Sequence, residues 1–417
     1  MKPSVRGACP SIAAPMQTGD GLLVRLIPHE PIDIEKLCIL CTAAEEHGNG
    51  IVEITQRGSL QIRGLREGSA STFARVIASL EIGADEGPPL VTSPLLGHLE
   101  EPFDSSTLVS SVRNMLQQER PNLEPLGPKV SVLIDGGGPL HLDVVSADIR
   151  LVATSNSLFQ LSLAGTARNA KHLGYVPAAR AAAPVEELLR RIADRGPTAR
   201  AKDLVLDQGI PKEIRRSLGD SLIDGPEPDT RPFAEAVGVY RLATGNVARG
   251  FALPFGHTTA GALRRFARTA ADNGASSIRP APGRSLLAIG LSPDAVDKLD
   301  KSAVAEDFVV DAHDPRRHVV ACAGAPACAS AELPTRQLAP EVARAIRSWA
   351  GTSTWAGTSN IVHLSGCSKG CAHPGPAALT LAGPNRLILN GRAGDTPQAT
   401  ISSAGLMADI ERLCGEL

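Results

Sequence analysis

The chain has few aromatic residues: eight Phe, two Trp and two Tyr among 417, or 3%. Its core must therefore rest on Leu, Val, Ile and Ala. It also lacks an apolar run long enough to span a bilayer. The first ten residues hold no apolar core of the signal-peptide kind. Net charge is −2, so no global field draws the chain to nucleic acid or to an anionic membrane. These absences predict a cytoplasmic protein with neither a nucleic-acid nor a membrane partner. The hydrophobic content of 43% is ordinary for a globular chain, and the length allows roughly two to four domains.

Cysteine is plentiful by comparison. Eight are present, and in a reducing compartment they serve more often as ligands or buried thiols than as disulfides. Four form two close pairs, Cys322-x5-Cys328 and Cys367-x3-Cys371. They lie in Ala-Cys-Ala-Gly-Ala-Pro-Ala-Cys and Gly-Cys-Ser-Lys-Gly-Cys-Ala-His-Pro. Four thiolates with no other ligand suit tetrahedral zinc or an iron–sulfur cluster. Zinc ribbons usually carry two Cys-x2-Cys knuckles, and these gaps match them poorly. Gly and Ala between the cysteines let the backbone wrap closely around a compact inorganic core. Cys38 and Cys41 also have Cys-x2-Cys spacing. Their surroundings have helical apolar spacing, and both fit as small buried residues. Cys9 and Cys414 have no partner by spacing.

An internal repeat organises the chain. The first copy opens on the alternating strand pattern Gly19-Asp-Gly-Leu-Leu-Val-Arg-Leu-Ile-Pro. A helix over 34–47, strands over 51–55 and 60–65 and a helix over 69–80 follow. The second copy opens at 237–242 and has a longer connection over 250–256. It continues with a helix over 260–271, strands over 276–280 and 285–291, and a helix over 293–299. Each copy reads β-α-β-β-α, a ferredoxin-like half in an α+β fold. Apolar strands at 129–135, 148–153 and 158–165 mark one α/β stretch, and those at 378–383 and 386–391 mark another. The expected divisions are 15–85, 90–200, 232–303 and 306–417. The third pairs with the first, and the fourth carries the cysteines.

The motif Thr55-Gln-Arg57-Gly-Ser-Leu-Gln61-Ile-Arg63 places Arg57 at a hairpin turn. Gln61 and Arg63 are two apart on one strand and share a face. Guanidinium groups on one sheet face suit a ligand with several carboxylates. Arg279 and Arg284 flank the equivalent turn of the second copy, and Lys129, Arg150, Lys171 and Lys369 are further cations. Gly136-Gly-Gly lacks the full dinucleotide fingerprint, so nicotinamide binding is not expected here.

The cysteine pairs, the Thr-x-Arg-x3-Gln-x-Arg strand and the duplication resemble the sulfite/nitrite reductase superfamily over about residues 15–400. That resemblance implies duplicated ferredoxin-like halves with two α/β domains. It also implies a [4Fe–4S] cluster on Cys322, Cys328, Cys367 and Cys371, a tetrapyrrole whose carboxylates meet Arg57 and Arg63 with Gln61, and Lys129 as a further substrate-binding residue, at the place where the reductases bind their small oxyanion. Two departures bear on function. The reductases carry Lys-x-Lys where this chain has Lys129-Val130-Ser131, and Pro-Asn where it has Ser368-Lys369. Arg6-Gly-Ala-Cys-Pro, Gly19-Asp-Gly-Leu-Leu-Val-Arg, Ile134-Asp135-Gly-Gly-Gly and Ser365-Gly-Cys-Ser-Lys-Gly-Cys-Ala-His-Pro are similar to the precorrin-3B synthase family. These are oxygen-dependent monooxygenases of aerobic cobalamin synthesis, which hydroxylate precorrin-3A and close a γ-lactone.

This second resemblance implies precorrin-3A and O2 as substrates and an electron-donor protein bringing NAD(P)H-derived electrons. A second, non-haem iron is expected for O2 activation. His373, Lys369 and Asp135 are the expected catalytic residues, with His363 and Asp148 as further candidates for ligation or proton transfer. The rival readings are a sirohaem-dependent sulfite or nitrite reductase, a zinc-stapled binding module, and an electron-transfer scaffold.

Overall fold

The structure is a computed structural model that describes residues 10–82, 87–99, 105–154, 157–206, 210–227, 231–346 and 361–400. Cys9 and Cys414 lie outside these residues. The chain divides into two compact units. Residues 26–31 and 82–248 form the first; 10–25, 32–81 and 249–417 form the second.

In the second unit, the helix Ile34–His47 starts where the chain supplies a cap. The Asp33 carboxylate accepts from the backbone N–H of Glu35 (2.8 Å) and Lys36 (3.2 Å). Leu37, Leu40, Cys41 and Ala44 form its buried face. Cys41 is fully buried, and desolvation pushes its thiol pKa far up, which leaves it an inert core residue. Across from this helix runs its counterpart Ala260–Asp272, capped by Thr259, whose hydroxyl accepts from Ala262 N (3.1 Å). Arg264 joins the two by bonding Glu45 and Thr42 Oγ1.

Each repeat builds an antiparallel sheet, and each lends a strand to the other. In the first, Met16–Thr18, Gly21–Leu26, Leu60–Leu65, Ile51–Ile54 and His257–Thr259 are neighbours in that order. The last of these comes from the second copy. In the other sheet Val247–Ala252, Ser285–Leu291, Ser277–Ala281 and Ile32–Asp33 follow one another, and the last comes from the first copy. The turns meet as well: Arg57 bridges Pro282, and Gly283 N donates to Gln56 O (3.1 Å).

The expected long connection over 250–256 is corrected here. Residues up to Ala252 belong to the strand Val247–Ala252, buried at every position. Val-Ala-Arg-Gly-Phe-Ala does not alternate because both its faces are covered, so the period-two signal is absent. The last helix is also longer than expected, running Val296–Ala305 after a short 3₁₀ turn.

Two further sheets have the same topology. In the first unit Leu90–Thr92, Val132–Asp135 and Ala147–Ala153 are parallel, and Leu158–Gly165 and Lys171–Pro177 continue antiparallel. In the second unit Val319–Ala321, Val362–Ser365 and Ala377–Ala382 are parallel, then Arg386–Gly391 and Ala399–Thr400 are antiparallel. Helices Ser105–Gln118 and Ala182–Ala193 close one core, and Thr335–Ala345 closes the other. Aliphatic side chains dominate both cores, as the scarcity of aromatics requires. Among the described residues no helix is long and apolar enough to cross a membrane.

Candidate metal centre and ligand surface

The four paired cysteines sit on two loops that leave neighbouring parallel strands. Cys322 follows Val319–Ala321, and Cys367 follows Val362–Ser365 by one glycine. Gly366 N donates to Cys322 Sγ (3.2 Å), which ties the loops together at the first cysteine. Gly366 allows this approach, because a Cβ there would lie 2.5 Å from Ala331 Cβ. Cys371 senses the whole set. Its thiol pKa is raised by burial first, then by Cys367, Cys322 and Cys328, while Lys369 opposes the rise.

No three of the four sulfurs lie within 4.8 Å of one another. Tetrahedral zinc with bonds of about 2.3 Å needs sulfurs about 3.8 Å apart. Among the described residues the cysteines do not stand at that spacing.

The first loop is braced by the opening strand–turn of the chain. Gly19 N and Arg63 Nη2 both donate to Ala327 O, at 3.1 and 2.7 Å, one residue before Cys328. A side chain at Gly19 would meet Pro326 O at 2.4 Å, so only glycine seats this turn on the loop. Arg63 is 4% exposed. It grips Asp20 in a fork, Nε to Oδ2 at 3.0 Å and Nη2 to Oδ1 at 2.9 Å, and lies 3.5 Å from Glu53. Burial alone would raise the Asp20 carboxyl pKa, but the bonds from Arg63 and Thr18 hold it below its usual value.

Gln61, on the same face, donates to Glu53 Oε2 (2.8 Å) and accepts from Arg25 Nη2 (2.8 Å) in the amide orientation that satisfies both neighbours. Glu53 also receives Arg336, from the helix that follows the first cysteine loop. The shared face expected for Gln61 and Arg63 is present, but its partners are the protein's own acids. Arg63 braces the cysteine loop, and Gln61 is tied to Glu53 and Arg25.

The second loop is held from the other repeat. Arg284 Nη2 donates to Ala372 O (2.6 Å), one residue past Cys371, and its Nη1 donates to Gln56 Oε1 (2.6 Å). Burial brings the Arg284 pKa down to about 10. Arg57 is half-buried in the turn beside Gln56, while Arg279 is buried in its strand. Lys369 is exposed and spans the two loops through Ser330 Oγ (3.1 Å).

His363 lies beneath the second loop with no exposed surface, and neither ring nitrogen has a partner among the described residues. Its ring meets that of His373 edge-on at 5.7 Å. Burial, then His373 and Arg284, push the His363 pKa down to about 3, so the imidazole is neutral. His373 is also lowered, by burial first, and its Nε2 donates to Pro376 O (3.1 Å).

Asp135 lies in the other unit, and its surroundings correct the catalytic expectation. It is fully buried and accepts four hydrogen bonds: Ser93 Oγ (3.1 Å), Gly137 N (2.9 Å), Leu142 N (2.8 Å) and Arg231 Nη2 (2.6 Å). No lone pair is left for a substrate proton. Topology explains this position. Gly136 N donates to Ser93 Oγ (3.0 Å) at the strand ends where, in the second unit, Gly366 N donates to Cys322 Sγ. The Asp135 loop is thus the counterpart of the cysteine loop, with Arg231 as its cation.

Asp148 is committed likewise, to Ser131 N, Ala201 N and both arms of Arg200. Ser131 has no exposed surface, whereas Lys129 is exposed. Sequence reading missed Asp20 and Glu53 as partners of the arginine strand. The quoted Gly19-Asp-Gly run held the one available signal, an acid beside a turn glycine.

Comparison with known proteins agrees with this fold. The family model described as Nitrite/Sulfite reductase ferredoxin-like half domain matches residues 14–80. The solved structure of Mycobacterium tuberculosis NirA protein superposes with a TM-score of 0.74. It is 22% identical and covers 95% of this chain and 80% of its own, a likeness of fold. A Precorrin-3B synthase from Sinorhizobium sp is 37% identical over 98% of this chain and 88% of its own length. With that relationship spanning nearly the whole of both chains, this protein belongs to the precorrin-3B synthase family.

Proposed function

We propose that the chain is an oxygen-dependent oxidoreductase that converts precorrin-3A to precorrin-3B, by ring hydroxylation with γ-lactone formation, in aerobic cobalamin biosynthesis. The near full-length kinship to a Precorrin-3B synthase carries this reading. The four cysteines on two adjoining loops, held by Arg63 from a strand and Arg284 from a turn, support it. Cys322, Cys328, Cys367 and Cys371 would hold a [4Fe–4S] cluster, which supplies one-electron transfer when bound. An NAD(P)H-dependent donor protein would provide the electrons. Monooxygenation places one oxygen atom in the ring and releases the other as water, consuming two electrons and two protons.

The chain's own residues hold and orient the macrocycle. Arg57 is the proposed anchor for its acetate and propionate groups, through charge-assisted bonds that fix the reacting carbon. Lys129 stays in the proposal as a further cation. Lys369 and His373, beside the second cysteine pair, are proposed to handle protons. For a second iron, the one group of three with metal-like spacing among the described residues is Asp135, His141 and Asp143, and Arg231 already occupies both of its carboxylates.

Arg57→Ala tests the site. The variant should bind the tetrapyrrole substrate at least tenfold more weakly while its iron content is unchanged. Unchanged affinity removes Arg57 from the site. An intense Soret band in the purified protein would favour the sirohaem reductase reading instead.

A further inference from the structure

The two arginines that hold the cysteine loops differ in charge balance. Arg63 reaches Ala327 O with carboxylate neighbours, Asp20 in its fork and Glu53 at 3.5 Å. Arg284 reaches Ala372 O and Gln56 Oε1, both neutral. Among the described residues no carboxylate pairs with Arg284, and its guanidinium is desolvated. Its Nη2 sits on the carbonyl one residue past Cys371, so the charge lies against the second cysteine loop. Lys369 is the other nearby cation, but it is exposed and screened by solvent.

We propose that Arg284 is a positioning residue whose uncompensated charge raises the reduction potential of the group bound by Cys322, Cys328, Cys367 and Cys371. This rests on the reading of the four cysteines as a [4Fe–4S] site. An oxidised cluster with its four thiolates carries a charge of about −2, and taking one electron from the donor makes it about −3. A fixed cation nearby stabilises the more negative state more. At an effective dielectric of ~20, a unit charge about 12 Å away changes the reduction equilibrium about tenfold. For one electron, tenfold is about 59 mV.

The test is a dithionite titration of the cluster-loaded full chain, followed by EPR, after iron and acid-labile sulfide have been measured. Arg284→Met should lower the midpoint by about 59 mV, a tenfold change. Arg284→Lys, which keeps the charge, should stay close to wild type. Gln56→Glu gives Arg284 a carboxylate partner at an exposed position, and should lower the midpoint without disturbing packing. If Arg284→Met does not fold, the other two variants decide. Wild-type midpoints in both Arg284→Met and Gln56→Glu, with full cluster content, overturn the proposal. A shift in Arg284→Lys as large as in Arg284→Met also overturns it, because loop geometry would then be the cause. A wild-type chain without iron and sulfide overturns the cluster reading itself, and this proposal with it.

Discussion

Replacing Asp20 by Asn tests the brace on the first cysteine loop. Asp20 accepts both arms of Arg63, Thr18 Oγ1 (2.8 Å) and Asn49 Nδ2 (3.0 Å). Asparagine keeps the shape, removes the charge and turns an N–H₂ toward donors. Arg63, 4% exposed, is left with Glu53 at 3.5 Å as its charged neighbour. Deleting one partner of a buried pair costs about 3–5 kcal/mol. The Asp20 side chain is 17% exposed and Glu53 remains, so a loss of about 2 kcal/mol is expected. That corresponds to about a 30-fold easier opening of the loop at Ala327. Urea unfolding measures the first quantity. The rate of thiol labelling at Cys328 in metal-free protein, read by mass spectrometry, measures the second. Because the Asp20 pKa is depressed, its contribution is fully present above its ordinary value of 3.8 and fades as pH falls through the lower folded value. The deficit of Asp20→Asn should therefore be constant near neutrality and vanish in strong acid. A loss below about 0.5 kcal/mol with unchanged labelling would refute the brace.

Three further outcomes follow from the same geometry. Cys367→Ser should lose bound iron, acid-labile sulfide and oxygenation together; full iron in that variant contradicts the ligand assignment. Gly19→Ala should cost about 1–3 kcal/mol in thermal unfolding, because its Cβ would sit 2.4 Å from Pro326 O; no loss means the turn does not seat on the loop. His363 has a folded pKa of about 3 against 6.5 when exposed. The unfolded chain therefore takes up a proton that the native chain refuses, and stability falls as pH drops from 6.5, by about 1.4 kcal/mol per unit. His363→Gln should flatten that slope by one proton in urea titrations across pH 4–6.

Local patterns carried much of the fold. The helix Ile34–His47 and the strands Leu60–Leu65, Leu158–Gly165, Ser285–Leu291 and Arg386–Gly391 follow from apolar periodicity and flanking glycines. The lent strands Ile32–Asp33 and His257–Thr259 do not, because two or three residues hold no period and their partners lie in the other repeat. At the site, cysteine spacing gave two loops that lie side by side, joined by Gly366 N to Cys322 Sγ. The roles of Gln61 and Arg63 were not legible. Strand alternation gave their common face, but the acids that meet them come from elsewhere, Glu53 from the neighbouring strand and Asp20 from a turn 43 residues before Arg63. Asp135 misled for a similar reason. Its four donors come from Ser93, Gly137, Leu142 and Arg231, which converge only on folding.

The central claim is that this chain oxygenates a metal-free tetrapyrrole. Its most direct test is anaerobic incubation of the purified, cluster-loaded protein with precorrin-3A, followed by ¹⁸O-labelled O2 and reductant, with mass analysis of the product. The account predicts a hydroxylated γ-lactone carrying one labelled oxygen, formed only when O2, reductant and iron are all present. Unchanged precorrin-3A under those conditions, or full conversion by iron-free protein, would contradict it.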